Sequence, residues 1–179
     1  FAKGLKIDDA LDEPEDLSVD SPHAQFGKMK YGFSFNRPFK AYGKDWIFSS
    51  TLVGQRARHT LYGSEQMMIG GIYTVRGFVE NTLSGDHGYY LRNELGVRLP
   101  FTGPRGIAGS LRPYIAMDTG HVESDVEGTP NGTLTGLAVG AGLQFGPLSM
   151  DWFYAKAHGQ PQTMPEKGGF TFFTATLTL

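Results

Sequence analysis

The fold class is decided by the stretch Tyr89–Leu99, which reads YYLRNELGVRL. Its odd positions are apolar apart from Asn93. Its even positions carry three charges, at Arg92, Glu94 and Arg98. Successive side chains of a β-strand point to opposite faces of the sheet, so this alternation predicts a strand with one apolar and one charged face. The stretch is also long enough to cross a bilayer as a tilted strand, which takes about 9–11 residues.

Similar alternation recurs in six further segments, most weakly in the second of them. They are Lys28–Phe35, Trp46–Arg58, Leu111–Gly120, Gly136–Phe145, Leu148–Tyr154 and Gly169–Leu179. Strands of soluble proteins usually have about 5–6 residues, and most of these segments are longer. The chain is therefore predicted to be all-β, with about seven membrane-length strands.

The connections between these strands alternate in length. Short connections are expected at Arg37–Lys44, Phe101–Gly109 and Gly146–Pro147, and long ones at Gly4–Pro22, Thr60–His87, Glu123–Gly132 and Gly159–Gly168. Outer-membrane barrels have short turns on the periplasmic side and long loops outside. The pattern therefore favours an antiparallel transmembrane β-barrel over a soluble antiparallel sandwich with one wet face, which would show the same alternation.

The number of strands indicates part of a barrel. Bacterial barrels close with an even number of strands, so seven need others from upstream sequence or from another chain. We expect residues 1–179 to be the C-terminal part of one barrel domain. The chain opens at Phe1, so a signal peptide would lie upstream.

Composition argues against several other classes of protein. The net charge is -2, so no basic field points to nucleic acid, and there are no cysteines for disulfides or thiolate metal sites. A mean hydropathy of -0.26 is compatible with a barrel, whose strands are apolar on one face only. No catalytic or phosphate-binding motif is present, so we expect no enzymatic activity and no cofactor. The histidines are scattered, which argues against a metal site; they are His23, His59, His87, His121 and His158.

The longest connection, at about residues 60–87, carries the candidate functional segment. It contains Gly70-Gly71-Ile72-Tyr73-Thr74-Val75-Arg76-Gly77-Phe78. A connection of this length is usually functional in a compact domain. It is either a solvated external loop with Arg76 on the surface or a loop folded back into the barrel lumen. The second arrangement requires a partner for Arg76, because a desolvated guanidinium must be paired.

The segment Val75-Arg76-Gly77-Phe78 resembles the lumenal-loop motif of the barrel superfamily that includes two-partner secretion transporters (TpsB) and the outer-membrane assembly proteins. The resemblance extends over nearly the whole chain. Before the motif it rests on Lys3-Gly4-Leu5, Gly54-Gln55, Leu61, Ser64-Glu65-Gln66 and Gly70-Gly71, and after it on Gly88–Leu95. It implies a barrel of about 16 strands and an N-terminal periplasmic module that this sequence does not contain.

The resemblance also implies a partner for the motif's arginine, an aspartate on the inner wall of the next strand but one. The matching element is Met117-Asp118-Thr119-Gly120, and the alternation independently places Asp118 on the charged face. Glu94 is a second candidate acceptor, although pairing with Arg92 or Arg112 is the favoured expectation for it. Asp118 could instead be an ordinary carboxylate at a strand end. The expected latch comprises Val75, Arg76, Gly77, Phe78 and Asp118, supported by Ser64, Glu65, Gly70, Gly71 and Gly120.

By resemblance, the protein would export a specific large unfolded exoprotein (an adhesin, cytolysin or toxin) across the bacterial outer membrane, with the lumenal loop gating the pore. Its other expected partners are the bilayer, lipopolysaccharide and the barrel assembly machinery. The alternatives are an assembly factor of the same superfamily, a passive porin and a soluble binding module. Barrels of this kind usually end in an aromatic residue, whereas this sequence ends in Leu179, which leaves the position of the true C-terminus open.

Overall fold

The computed structural model describes residues 2–3, 18, 21–79, 81–126, 128–165 and 168–178. These residues form one eight-stranded antiparallel sheet and a separate two-stranded hairpin. The sheet follows the order β1-β2-β3-β6-β7-β8-β9-β10. Its strands are β1 (Ala2–Lys3), β2 (Gly27–Ala41), β3 (Lys44–Ala57), β6 (His87–Thr102), β7 (Ala108–Glu123), β8 (Gly132–Phe145), β9 (Leu148–Gly159) and β10 (Phe170–Leu177). The hairpin is β4 (Met67–Ile69) with β5 (Leu83–Gly85).

All seven predicted strands are confirmed, and most are longer than expected. The short connection predicted at Arg37–Lys44 was wrong in extent, because β2 continues to Ala41 and only Tyr42 and Gly43 form the turn. Both turn residues have positive φ, 51° and 68°, as a tight two-residue hairpin turn requires. Pro38 interrupted the sequence pattern without ending the strand, since Pro38 lies opposite Ile47 within the pairing.

The N-terminal part of the resemblance falls only partly on described residues. Lys3 pairs with Gly27 in β1, whereas Gly4 and Leu5 lie outside the described residues. Of the predicted connection Gly4–Pro22, only residues 18, 21 and 22 are described. None of the helical segments in the described part of the chain is long and apolar enough to cross a membrane.

The two faces of the sheet differ as the alternation predicts. One face, called the outer face, exposes large apolar side chains on most strands, among them Met29, Phe33, Ile115, Val139, Trp152 and Phe173. The opposite face, called the inner face, carries the charged residues Arg92, Glu94, Arg112 and Asp118. An apolar face left exposed on long strands is what a lipid environment stabilises.

The long connection between β3 and β6, residues 58–86, lies against the inner face. The sequence predicted one long connection at about residues 60–87. The structure contains the β4–β5 hairpin within it, whose strands of three residues are too short to give a periodic pattern. The hairpin and the wall share an apolar cluster made of Met67, Ile69, Val75, Phe78, Leu83, Val122 and Leu134. Residues 70–82 connect the two strands of the hairpin, and we call them the tip of the loop.

Candidate functional site

Glycines give the tip a backbone course that other residues would resist. Gly70, Gly71 and Gly77 have φ values of 104°, 102° and 105°, in the region where a Cβ is strongly unfavourable. Gly70 is also crowded, because a Cβ there would lie 2.8 Å from the carbonyl oxygen of Asn81. The tip therefore depends on these glycines for its turns.

The tip touches the wall closely where β8 and β9 change register. The pairing of β8 with β9 shifts register between Thr135 and Gly136. A Cβ on Gly136 would overlap the carbonyl oxygen of Arg76, and a Cβ on Gly77 would lie 2.6 Å from the carbonyl carbon of Lys156. The register shift therefore coincides with close backbone-to-backbone contact between the tip and the wall. No role was predicted for Gly136, because it is one of several small residues along β8 and the sequence does not distinguish it from the others.

Val75 and Phe78, on either side of the motif's centre, are buried in the apolar cluster at 0% and 1% exposure. Gly120 makes room for Val75, since a Cβ on Gly120 would lie 2.9 Å from Val75 Cγ2. The expected supporting position Gly120 is therefore in direct contact with the motif. Ser64, by contrast, is exposed near the base of the loop.

Arg76 is held by Asp118 through three hydrogen bonds. Its guanidinium donates from Nε to Oδ2 at 2.6 Å and from Nη2 to Oδ1 at 2.8 Å, and its backbone N–H donates to Oδ2 at 3.1 Å. The two side chains are 3% and 1% exposed. A bidentate arginine–carboxylate pair fixes geometry as well as charge. Because it is buried, removing either partner would leave an uncompensated charge.

Glu94 joins a second arginine to the same site. It accepts a hydrogen bond from Arg76 Nη1 at 3.2 Å and forms an ion pair with Arg112. The expectation that Glu94 pairs with Arg92 or Arg112 instead of Arg76 was therefore incomplete, because one carboxylate spans Arg76 and Arg112. Its two oxygens can serve two guanidinium groups at once.

The base of the loop is gathered around one buried carboxylate, Asp86, which is 0% exposed. Oδ1 accepts from the Leu61 backbone N–H at 2.7 Å and from Gln66 Nε2 at 3.3 Å. Oδ2 accepts from Ser124 Oγ at 3.0 Å and from the Asp125 backbone N–H at 2.9 Å. Asp86 thus ties the start of the loop, its end and the next loop together. We call this arrangement the neck.

Glu65 fastens the same end of the loop to β2. The buried Lys28 ammonium donates to the Glu65 carbonyl at 2.7 Å and to its carboxylate, and Gln55 Nε2 donates to the carbonyl at 3.0 Å. The hydrogen bond from Lys28 and its charge lower the pKa of Glu65. A carboxyl whose pKa is lowered by folding stabilises the folded state above its ordinary pKa, and that stabilisation is lost as the pH falls.

Comparison with known proteins identifies the family to which this architecture belongs. The model of the family described as "Haemolysin secretion/activation protein ShlB/FhaC/HecB" matches residues 1–143. The chain belongs to this haemolysin secretion/activation family. Two curated relatives illustrate it: the outer membrane transporter CdiB of Escherichia coli O6:K15:H31 is 38% identical over 131 residues, and the hemolysin transporter protein HpmB of Proteus mirabilis is 33% identical over 134 residues.

Solved structures of the same family give the same fold. CdiB from Escherichia coli superposes with a TM-score of 0.78 over 92% of this chain and 30% of that chain, at 30% identity. The sheet is thus part of a β-barrel of the outer membrane, and its inner face lines the barrel. The two curated relatives are matched over 73% and 74% of this chain, which spans only 21% and 23% of their own lengths.

The neck around Asp86 was not predicted from the sequence. Asp86 lay next to His87 at the edge of the predicted connection and belonged to no motif. The one available signal was a carboxylate immediately before a strand. Within the described ranges, no group of three or more histidine, aspartate, glutamate or cysteine residues is placed to hold a metal ion.

Asp86→Ala should loosen the base of the loop without breaking the barrel. The substitution leaves two backbone N–H groups without their acceptor, and each unsatisfied buried group costs roughly 1–3 kcal/mol. We expect a thiol placed at Leu61, which is 1% exposed, to react with maleimide at least about fivefold faster in this variant. Asp125→Ala is the matched control: its carboxylate contacts His87 at 3.2 Å, and only its backbone N–H, which alanine keeps, donates to Asp86. Equal labelling rates in the two variants would show that Asp86 does not hold the neck.

Proposed function

We propose that this chain is the C-terminal part of an outer-membrane pore that exports a specific large unfolded exoprotein, with loop 58–86 as the gate. The observation that carries the proposal is the buried pair between Arg76, on the tip, and Asp118, on the barrel wall. The matched relatives are named as transporters, which favours export over the assembly of other barrels. A pore of this kind performs no reaction and needs no cofactor.

The contacts divide the loop into a fixed base and a releasable tip. The base is held by Asp86 and by the Lys28–Glu65 pair. The tip is held by Arg76 and by the apolar contacts of Val75 and Phe78. We propose that the tip swings away from the wall during export while the neck stays in place, so that the loop returns to the same position afterwards. Gating needs two defined positions of one element.

The exported partner would be an unfolded polypeptide passing along the inner face. The relatives' names indicate the class of cargo, haemolysins for HpmB. The outer face would contact the bilayer, and the long loops would lie near lipopolysaccharide. An upstream periplasmic module would recognise the cargo, and the barrel assembly machinery would insert the protein.

A reversible covalent lock tests whether the tip must move. This sequence has no cysteines, so Val75→Cys combined with Gly120→Cys would introduce a defined pair. An ideal Cβ at Gly120 would lie 2.9 Å from Val75 Cγ2. Cγ2 is one bond from the Val75 Cβ, so the two Cβ atoms come near the separation of about 3.5–4.5 Å that a disulfide spans. In the full-length protein, we expect oxidation to lower the amount of exported exoprotein at least about tenfold. Reduction should restore it.

Each single-cysteine variant serves as the control for the substitutions themselves. Heat-modifiable migration on gels shows that the barrel is folded in each case. Undiminished export with the disulfide formed would mean that the tip does not move, and the gate proposal would then be abandoned. A porin whose loop only lines the channel would pass small ions equally well in both redox states.

A further inference from the structure

Arg92 stands beside the latch without being part of it. It lies directly opposite Asp118 in the β6–β7 pairing, and both residues are on the inner face. Its Nε is 3.9 Å from Asp118 Oδ2, which is an ion-pair distance but too long for a hydrogen bond. Its Nη1 instead donates to the carbonyl oxygen of Tyr73, on the tip, at 3.0 Å.

Release of the tip would create an electrostatic problem at Asp118. This carboxylate is 1% exposed and receives its hydrogen bonds from Arg76. If the tip left with Arg76, Asp118 would lose the three hydrogen bonds that it accepts from Arg76, and its remaining cation, Arg92, is too distant to donate one without moving. An unpaired charge of this kind is strongly unfavourable unless water or another cation reaches it.

The same movement frees Arg92. When Tyr73 leaves, the Arg92 guanidinium loses its acceptor on the tip and is the nearest remaining cation to Asp118. Directly opposed residues of antiparallel strands have Cβ atoms about 4.5–5.5 Å apart, so a change of side-chain rotamer suffices to pair them. Glu94, the other carboxylate that contacts Arg76, needs no new partner, because it keeps its ion pair with Arg112.

We propose that Arg92 is an exchange partner that replaces Arg76 on Asp118 when the tip is released, and so stabilises the open state. This positioning role rests on the proposed gate. In the closed state Asp118 pairs with Arg76, and in the open state it pairs with Arg92. Glu94 keeps Arg112 in both states, so opening leaves neither carboxylate unpaired. Arg92 would have opposite effects in the two states: it holds the tip weakly through Tyr73 when closed, and it neutralises Asp118 when open.

The sign of the effect of Arg92→Met tests the proposal. Spin labels on cysteines placed at Tyr73 and Lys44 in the full-length protein would report the populations of held and displaced tips. We expect Arg76→Ala to raise the displaced population and Arg92→Met to lower it about fivefold, an interaction within the range measured for contacting residues. A role limited to supporting the tip through Tyr73 would raise that population instead.

The Asp118→Asn background provides the decisive comparison. There the wall carries no charge to neutralise, so Arg92→Met should no longer lower the displaced population and should raise it slightly. Arg98→Gln is the matched control, on the same face of the same strand but opposite Asp45 near the short turns. The proposal is overturned if Arg92→Met shifts the population in the same direction in both backgrounds. If Arg76→Ala leaves the tip in place, the latch itself is wrong and the role of Arg92 falls with it.

Discussion

Gly136→Val is expected to drive the tip of the loop off the barrel wall while the sheet stays folded. A Cβ at this position would occupy the space of the Arg76 carbonyl oxygen. The wall cannot give way easily, because Gly136 is fixed in the β7–β8 ladder opposite Asp118, so the tip has to move. Overpacking of this kind costs roughly 1–3 kcal/mol or more. We expect export by the full-length protein to fall at least about tenfold, a difference of 1.4 kcal/mol.

Gly142→Val is the control for this substitution. Gly142 lies on the same strand and face, but a Cβ there would make only ordinary contacts, the nearest at 3.4 Å to Asp151 Oδ2. Both variants should reach the outer membrane in normal amounts, since valine suits a strand better than glycine does. Equal export by both would mean that close contact between Arg76 and the wall is not needed.

Arg76→Ala and Asp118→Ala should each abolish export, for a different reason from Gly136→Val. Each removes the buried, bidentate contact between the tip and the wall, and the second contacts, Arg76 with Glu94 at 3.2 Å and Arg92 with Asp118 at 3.9 Å, replace only part of it. The roughly 3–5 kcal/mol for breaking a buried pair is therefore an upper limit. The tip then no longer has a defined closed position against the wall. After export it could not return to that position, so the gate would not close again. The barrel should still form, because its strands are held by their own ladders. Heat-modifiable migration and surface labelling check the barrel, and the amount of exoprotein in the medium measures export.

The fold was largely predictable from the sequence because strand alternation is a local signal. In segments such as Tyr89–Leu99, the alternation alone predicts which residues face inward and which face outward. These segments are strands in the structure, with the predicted faces. Boundaries were less predictable, since a connection was predicted at Arg37–Lys44 whereas β2 continues to Ala41. The β4–β5 hairpin was missed because strands of three residues have no detectable period.

The site was predictable in part, and the division has a physical cause. The resemblance of Val75-Arg76-Gly77-Phe78 to the lumenal-loop motif implied the pairing of Arg76 with Asp118, and the alternation independently placed Asp118 on the inner face. Asp86 and Gly136 depend on contacts between segments far apart in sequence, Asp86 with Ser124 and Gly136 with Arg76. No local pattern records such contacts. Arg92 was visible as an inner-face charge, but its place between Tyr73 and Asp118 required the course of the loop.

The central claim is that the Arg76–Asp118 pair is the latch of an export gate, and a charge swap tests it most directly. Export of the exoprotein would be measured for full-length protein carrying Arg76→Asp, Asp118→Arg or both, at matched amounts of folded barrel in the outer membrane. We expect both single variants to lose export and the double variant to recover part of it, because the swap restores opposite charges at the same contact. Export at the normal level in either single variant would contradict the claim.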